Sequence, residues 1–301
     1  EQKYAEFVRE SVRRFKGYVR YWQLGNEFDI FHREGPKAYV AAQRIGYAAA
    51  KAEDPTCVVI GGSITELQVR KEGWHEALQL GLANFCDIYD FHFYADLDTT
   101  QSLLEYIHAT CKELHAQKPI WVTETTQVGM FDPDDRNQAE YVLKRYAHLL
   151  ASGVSVVFWH VLRWPYPFSA DKVQATAMVD YEGFARPSLF AYAAMTRELE
   201  GTRFVRRWEA GEKVYALEFR GEDRRRLVVW SDGAQKALIV IVAAGEAFAT
   251  SVSGRREGVR VPDGSLTVVA GRAPVIWALP GAVLSITPAR PGTEPSTGGH
   301  G

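Results

Sequence analysis

The chain has 301 residues, 47% hydrophobic and 24% charged, with a formal net charge of −2. That is enough apolar material for one large globular domain or two ordinary ones, and the charge balance carries no electrostatic footprint for nucleic acid or an anionic membrane. The three cysteines, Cys57, Cys86 and Cys111, form no regular framework, which argues against a disulfide-built fold, and no apolar run reaches the roughly 18 residues that span a bilayer. Glu1-Gln2-Lys3 opens a polar amphipathic segment rather than a signal peptide, and the compartment stays open.

Residues 4–16 place Tyr4, Phe7, Val8, Val12 and Phe15 at a helical period. A strand is expected at 18–25, then a helix over 36–52 with Pro36 at its start and Asp54-Pro55 beyond its end. Cys57 to Ser63 reads as a short buried strand, followed by a helix at 73–82, a strand at 88–94 and a helix at 99–116. A strand at 119–124, a helix at 136–151, a strand at 154–160 and a helix at 187–199 complete the series. Five apolar strands alternating with helices imply parallel strands joined by right-handed crossovers.

A doubly wound sheet and a barrel both satisfy that alternation. The barrel is favoured because polar or aromatic residues end nearly every strand: Asn26 and Glu27, Ser63, His92 and Tyr94, Glu124, and Trp159 and His160. In a barrel these ends converge on one face. No Gly-x-Gly-x-x-Gly follows any strand, which counts against a dinucleotide-binding sheet.

Beyond residue 203 the pattern changes to short apolar runs separated by Gly and Asp, at 214–219, 226–230, 237–242, 266–269 and 274–279. These predict a small antiparallel β-sandwich. The expected organisation is a barrel segment over 1–200, a sandwich over 201–286 and a disordered tail over 287–301, rich in Pro, Gly, Ser and Thr. Arg224-Arg225-Arg226, flanked by Glu222 and Asp223, reads as a solvated turn.

The chemistry concentrates at two strand-terminal carboxylates. Glu27 closes the run Trp22-Gln23-Leu24-Gly25-Asn26-Glu27, and Glu124 closes Trp121-Val122-Thr123-Glu124. A pair of this kind suits glycoside cleavage, in which one carboxylic acid protonates the leaving oxygen and one carboxylate attacks the anomeric carbon. His92 and Tyr94 share a strand face by the period of two, within reach of such a site.

These motifs together resemble the retaining glycoside hydrolase superfamily with a (β/α)8 barrel, including relatives of the β-xylosidases. The resemblance makes Glu27 the acid/base at the end of strand four and Glu124 the nucleophile at the end of strand seven. It implies that Asn26 bonds the sugar hydroxyl beside the anomeric centre and that His92 or Tyr94 contacts the nucleophile. It also implies that Trp159, in Phe158-Trp159, floors the subsite of the reacting sugar. The implied fold is α/β, the C-terminal part of a TIM barrel (strands 4–8) followed by the β-sandwich.

The mechanism needs no cofactor and no metal. The acid-rich run Asp132, Pro133, Asp134, Asp135 and Arg136 reads as a helix start, since calcium-loop spacing is missing. Asp29 and His32 beyond Glu27, and Arg163 with Trp164 after the last strand, are further candidates for outer subsites, with helix capping an equal alternative for the first two.

One departure from the resemblance is large, because only one helix precedes Glu27 and strands one to three have no counterpart. Three readings follow: a piece of a longer protein, pairing with a separate N-terminal half-barrel or a second copy, or a free-standing half-barrel. The expected partner is a carbohydrate substrate. The expected function is retaining hydrolysis of poly- or oligosaccharides, the alternative being a catalytically inactive carbohydrate-binding or structural barrel fragment. The sugar, the linkage and endo against exo action are not legible.

Overall fold

The computed structural model describes residues 1–31, 34–65, 71–127, 134–163 and 176–290. The chain falls into two compact units, Glu1–Val128 with Val154–Trp159, and Gly129–Gly153 with His160–Gly301. The expected tail from residue 291 onward lies outside the described residues. Among the described residues no helix is long and apolar enough to cross a membrane.

The first unit runs α1 (Gln2–Phe15), β1 (Tyr21–Gln23), α2 (Phe28–Phe31), α3 (Gly35–Glu53), β2 (Val58–Ile64) and α4 (Lys71–Gln79). A 3-10 turn (Leu82–Phe85), β3 (Ile88–Phe93), α5 (Leu97–Glu113), β4 (Ile120–Thr125) and β5 (Val154–Trp159) follow. The five strands form one parallel sheet in the order β1-β2-β3-β4-β5. Helix α1 buries Val8 and Val12 in a cluster with Ala49 and Ala50 of α3 and Val59 of β2. Asp96 caps α5 by accepting a hydrogen bond from the Thr99 amide at 2.8 Å, satisfying a donor the helix cannot pair internally. On the outer face of β3, Tyr89 and Phe91 each meet Trp74 of α4 edge-on at 4.9 Å. The three cysteines are free and buried, and burial pushes the Cys86 thiol up to about 12.

The sheet is strongly curved. Tyr21 on β1 and Trp121 on β4 are separated by two intervening strands, yet their rings lie 4.9 Å apart. A flat sheet would hold those strands roughly 14 Å apart. The concave face carries Tyr21, Trp121 and Phe158, and the convex face carries the helices. Five strands bent in this way are part of a (β/α)8 barrel, and β1 and β5 are open edges among the described residues.

The second unit contains α6 (Asp135–Ala151), α7 (Pro187–Leu199) and two antiparallel sheets. The strands are β6 (Arg203–Arg207), β7 (Val214–Arg220), β8 (Arg225–Ser231), β9 (Lys236–Ile241) and β10 (Gly245–Thr250). Then come β11 (Arg256–Val261), β12 (Ser265–Ala270), β13 (Val275–Ala278) and β14 (Ser285–Pro288). Six strands pair in the order β11-β10-β13-β8-β7-β6 and three in the order β12-β9-β14. Leu227 and Val229 from one sheet and Leu238, Val240, Leu266 and Val268 from the other fill a shared aliphatic core, the arrangement of a β-sandwich.

Four strands go beyond the sequence expectation: β6, β10, β11 and β14. Each breaks the apolar alternation with Arg, Gly, Ala or Pro. The run Arg224–Arg226, expected as a solvated turn, instead enters β8, where Arg226 donates to the buried Glu198 at 2.9 Å.

Candidate active site

Glu27 lies directly beyond β1 and just before α2, with φ of 44°. This is left-handed backbone that a non-glycine residue adopts at a cost of about 1–3 kcal/mol, and such strain concentrates at functional positions. Its side chain is 16% exposed. Oε1 lies 3.0 Å from Nδ1 of His92, so the inner end of the first strand is tied to the third.

Glu124 reaches the same place through an irregularity in β4. In a regular strand Thr123 and Glu124 would point to opposite faces. The register between β3 and β4 slips so that Phe91 opposes Val122 while His92 opposes Glu124, leaving Thr123 as an extra residue. Such a bulge re-aims side chains. Here it brings Oγ1 of Thr123 within 3.1 Å of His92 Nε2 and Oε2 of Glu124 within 3.9 Å of His92 Nδ1. Tyr94 donates its hydroxyl to Glu124 Oε2 at 2.7 Å. Burial, then the bond and charge of Glu124, push the Tyr94 phenol upward and keep it a donor.

Beneath the pair lies a buried polar network built on Asp90, which is fully enclosed. Asp90 accepts from the Thr123 amide at 3.0 Å and its hydroxyl at 2.7 Å, and from Ser63 at 2.8 Å. A second bulge in β2, between Gly62 and Ile64, turns Ser63 inward with φ of 49°. Gln23 then donates to the Ser63 hydroxyl at 2.8 Å. Gly62 is required at this point: its φ is +118°, and a Cβ there would lie 2.6 Å from the Asp90 carbonyl oxygen.

His92 joins the two levels. Burial alone would depress its pKa, but Asp90, then Glu27 and Glu124, outweigh that and hold the imidazole up at about 9. With both ring nitrogens protonated, Nδ1–H donates to Glu27 and Nε2–H to Thr123, whose own hydroxyl donates to Asp90. The buried carboxylate and the buried imidazolium compensate each other, the arrangement a charge needs to leave water. One ligand atom each of Glu27, His92 and Glu124 lies within 4.8 Å of the others. A metal ion there would have to displace the proton through which Nδ1 bonds Glu27.

The other expected residues fall as follows. Asn26 is exposed beside Glu27. Trp159 ends β5, half-buried and in register with Thr125, the residue after Glu124. Phe158, 49% exposed, is the residue of that pair that faces Trp121, at 6.3 Å, and with Tyr21 it lines the concave wall. Asp29 accepts from the Thr65 amide at 3.2 Å. Arg163 donates to the Tyr181 carbonyl at 2.6 Å. Asp134 caps α6 by accepting from the amides of Arg136 and Asn137, as a helix start should. His32, Asp132, Pro133 and Trp164 lie outside the described residues. Asp90 was not singled out in the sequence, where it sits in the buried run Ile88-Tyr89-Asp90-Phe91. The signal was there nonetheless: an acid inside an otherwise apolar strand needs a buried partner.

No protein-family model and no curated protein matches the chain. Solved structures do. A family 39 glycoside hydrolase from Bacteroides cellulosilyticus WH2 superposes with a TM-score of 0.74 at 16% identity, over 93% of this chain and 62% of that one. A family 30 endoxylanase from Clostridium papyrosolvens C71 gives 0.66 at 14% identity, over 93% and 71%. A family 39 β-xylosidase from Caulobacter crescentus gives 0.63 at 16%, over 91% and 71%. The fold is therefore that of the family 39 and family 30 glycoside hydrolases, a partial TIM barrel followed by a β-sandwich-like domain, and the chain spans 62% of the length of the Bacteroides enzyme.

Proposed function

We propose that this chain carries the catalytic carboxylates of a retaining glycoside hydrolase acting on poly- or oligosaccharides. One observation carries the reading: Glu27 and Glu124, from the carboxyl ends of β1 and β4, present oxygens within 4.8 Å of each other around a buried His92. Retaining enzymes hold their two carboxyl groups about 5–5.5 Å apart, whereas inverting ones leave about 6.5–9.5 Å for a water.

In the first step a Glu124 oxygen attacks the anomeric carbon while Glu27 gives a proton to the departing glycosidic oxygen. The glycosidic bond breaks and a glycosyl ester forms. In the second step Glu27 takes a proton from water, the water oxygen attacks the anomeric carbon, and the ester bond returns its electrons to Glu124. Tyr94 holds Oε2 of Glu124 and so orients the carboxylate for attack. His92 Nδ1 lies 3.0 Å from Glu27 Oε1 and so fixes the orientation of the acid/base carboxyl group. Asn26 bonds the hydroxyl beside the anomeric centre, and Trp159 contributes to the sugar subsite. Further strands beside the open β1 edge, from a longer protein or from a second copy, complete the barrel wall.

The test is trapping with a 2-deoxy-2-fluoro xyloside carrying a good leaving group, together with its glucose counterpart, read by mass spectrometry of the peptide containing Glu124. A glycosyl adduct on Glu124 that is absent from Glu124→Gln is the expected result. Sugar binding without any adduct would move the reading to a carbohydrate-binding protein without turnover.

A further inference from the structure

The six-stranded sheet carries a row of three arginines on one face. Arg203 on β6 lies directly opposite Arg220 on β7, and Arg220 lies directly opposite Arg225 on β8. Directly opposed residues point to the same side with Cβ atoms about 4.5–5.5 Å apart, and like charges so placed destabilise a sheet. The neighbouring arginines are neutralised: Arg206 meets Glu218 at 3.5 Å, and Arg226 meets Glu198 at 2.9 Å. Among the described residues Arg203, Arg220 and Arg225 form no ion pair with a carboxylate. Arg225 donates to the backbone carbonyls of Gly221 and Arg224.

Arg203 and Arg220 border an open groove of about 470 Å³ whose lining includes Phe204 and Val205. Both arginines are exposed, and Val205 is 43% exposed. Glu222 also lines the groove and sets a limit on how much total negative charge it accepts. That volume falls in the range of small-ligand pockets, and the whole chain carries a net charge of −2, so the feature is a local recess and not a broad basic face for nucleic acid. Two guanidinium groups side by side suit one planar carboxylate, which each contacts through paired N–H donors. The adjoining Val205, 43% exposed, offers an apolar surface for the C–H face of a sugar ring.

We infer that the β6–β7 groove binds an acidic sugar, a uronic-acid residue of a polysaccharide, through Arg203 and Arg220. The inference rests on the glycan reading above for the class of ligand, while the site itself belongs to the second unit and uses none of the residues of the carboxylate pair.

The experiment is isothermal titration of the Glu124→Gln chain, which cannot consume substrate by double displacement, with a galacturonate oligomer and with its methyl ester. The ester keeps the sugar and removes the charge. The acid form should bind at least about tenfold more tightly, and Arg203→Thr and Arg220→Ala should each lose about tenfold or more in affinity. Arg220→Lys should fall in between, since it keeps the charge and loses the fork. Circular dichroism and melting of the ligand-free variants check folding, and relief of the like-charge row predicts melting temperatures equal to or above the parent. Equal binding of acid and ester, variants that bind as the parent does, or polyphosphate binding as tightly as the galacturonate oligomer would each overturn the proposal. Fluorosugar trapping of the parent chain, run in parallel, reports on the glycosidase reading alone, so that either reading can fail without the other.

Discussion

The core of the sandwich, around Leu227, Val229, Leu238, Val240, Leu266, Val268 and Trp277, is apolar, whereas the concave side of the parallel sheet encloses Ser63, Asp90, His92 and Thr123 beneath two carboxylates. The sandwich places its buried apolar groups on ladders whose one register shift among the described residues lies at the edge strand β6, between Phe204 and Arg206. The parallel sheet needs two bulges, two left-handed non-glycine residues and a glycine at +118° to assemble its polar cluster. Apolar packing tolerates regular geometry because dispersion has no direction. A buried charge network does not, since every donor must find its acceptor. Irregular backbone at strand ends is what that requirement costs, and it separates the region that buries charge from the region that buries apolar surface.

The largest effect that would break this contrast lies at the carboxylates. Glu124→Gln should abolish both turnover and the fluorosugar adduct. Glu27→Gln should slow hydrolysis of substrates with poor leaving groups by about 10²–10⁴-fold, and much less for activated aryl glycosides; steady-state kcat on both substrate types checks it. An unchanged ratio between them would remove Glu27 from the acid role.

On the packing side, Trp230→Ala removes a fully buried ring stacked on Tyr215 at 4.4 Å. A loss of about 3–5 kcal/mol in urea unfolding of the sandwich is expected, most of it from the volume removed. Asp90→Asn sharpens the comparison from the other side. It leaves His92 without its principal counter-charge, and a loss of about 3 kcal/mol is expected. The same variant should lower the His92 pKa from about 9, measurable by NMR titration of the ring protons. A purely structural Asp90 would cost stability and leave that titration where it was.

Tyr94→Phe deletes one charge-assisted hydrogen bond to Glu124. About 1.5–3 kcal/mol should appear mainly in kcat, with KM little changed. The remaining effect is alkaline sensitivity. Because His92 is raised from 6.5 to about 9 on folding, its stabilising contribution is complete below 6.5 and is lost as the pH rises through about 9. Melting temperature of the parent should fall across that window more steeply than that of His92→Gln, and parallel curves would show that the imidazolium contributes nothing.

Much of this was legible in the sequence. The alternation of apolar strands with helices located all five parallel strands, because each is an apolar run bounded by Gly, Pro or Asp. Glu27, Glu124, His92 and Tyr94 stood out because polar side chains at the ends of apolar runs have no packing reason to be there, and the structure brings them together. The bulges were not legible. Nothing in Val122-Thr123-Glu124 announces that two successive residues serve the same side, and nothing in Gly61-Gly62-Ser63 fixes which glycine turns the chain. Strands β6 and β11 escaped notice because edge strands tolerate arginine and glycine where central strands do not. The extent of curvature also lay beyond periodicity, since it depends on contacts between strands that are not neighbours.

The wedging of Trp121 between Tyr21 and Phe158 on the open concave wall has a spectroscopic consequence. A half-exposed indole flanked by two rings that are 44% and 49% exposed is a built-in fluorophore for that wall. Anything that covers it, whether a sugar or an added strand, must withdraw water from the indole and shift its emission to the blue. Replacing Trp121 with phenylalanine would darken that signal alone, and so give the chain its own optical gauge of whether the wall is bare or occupied.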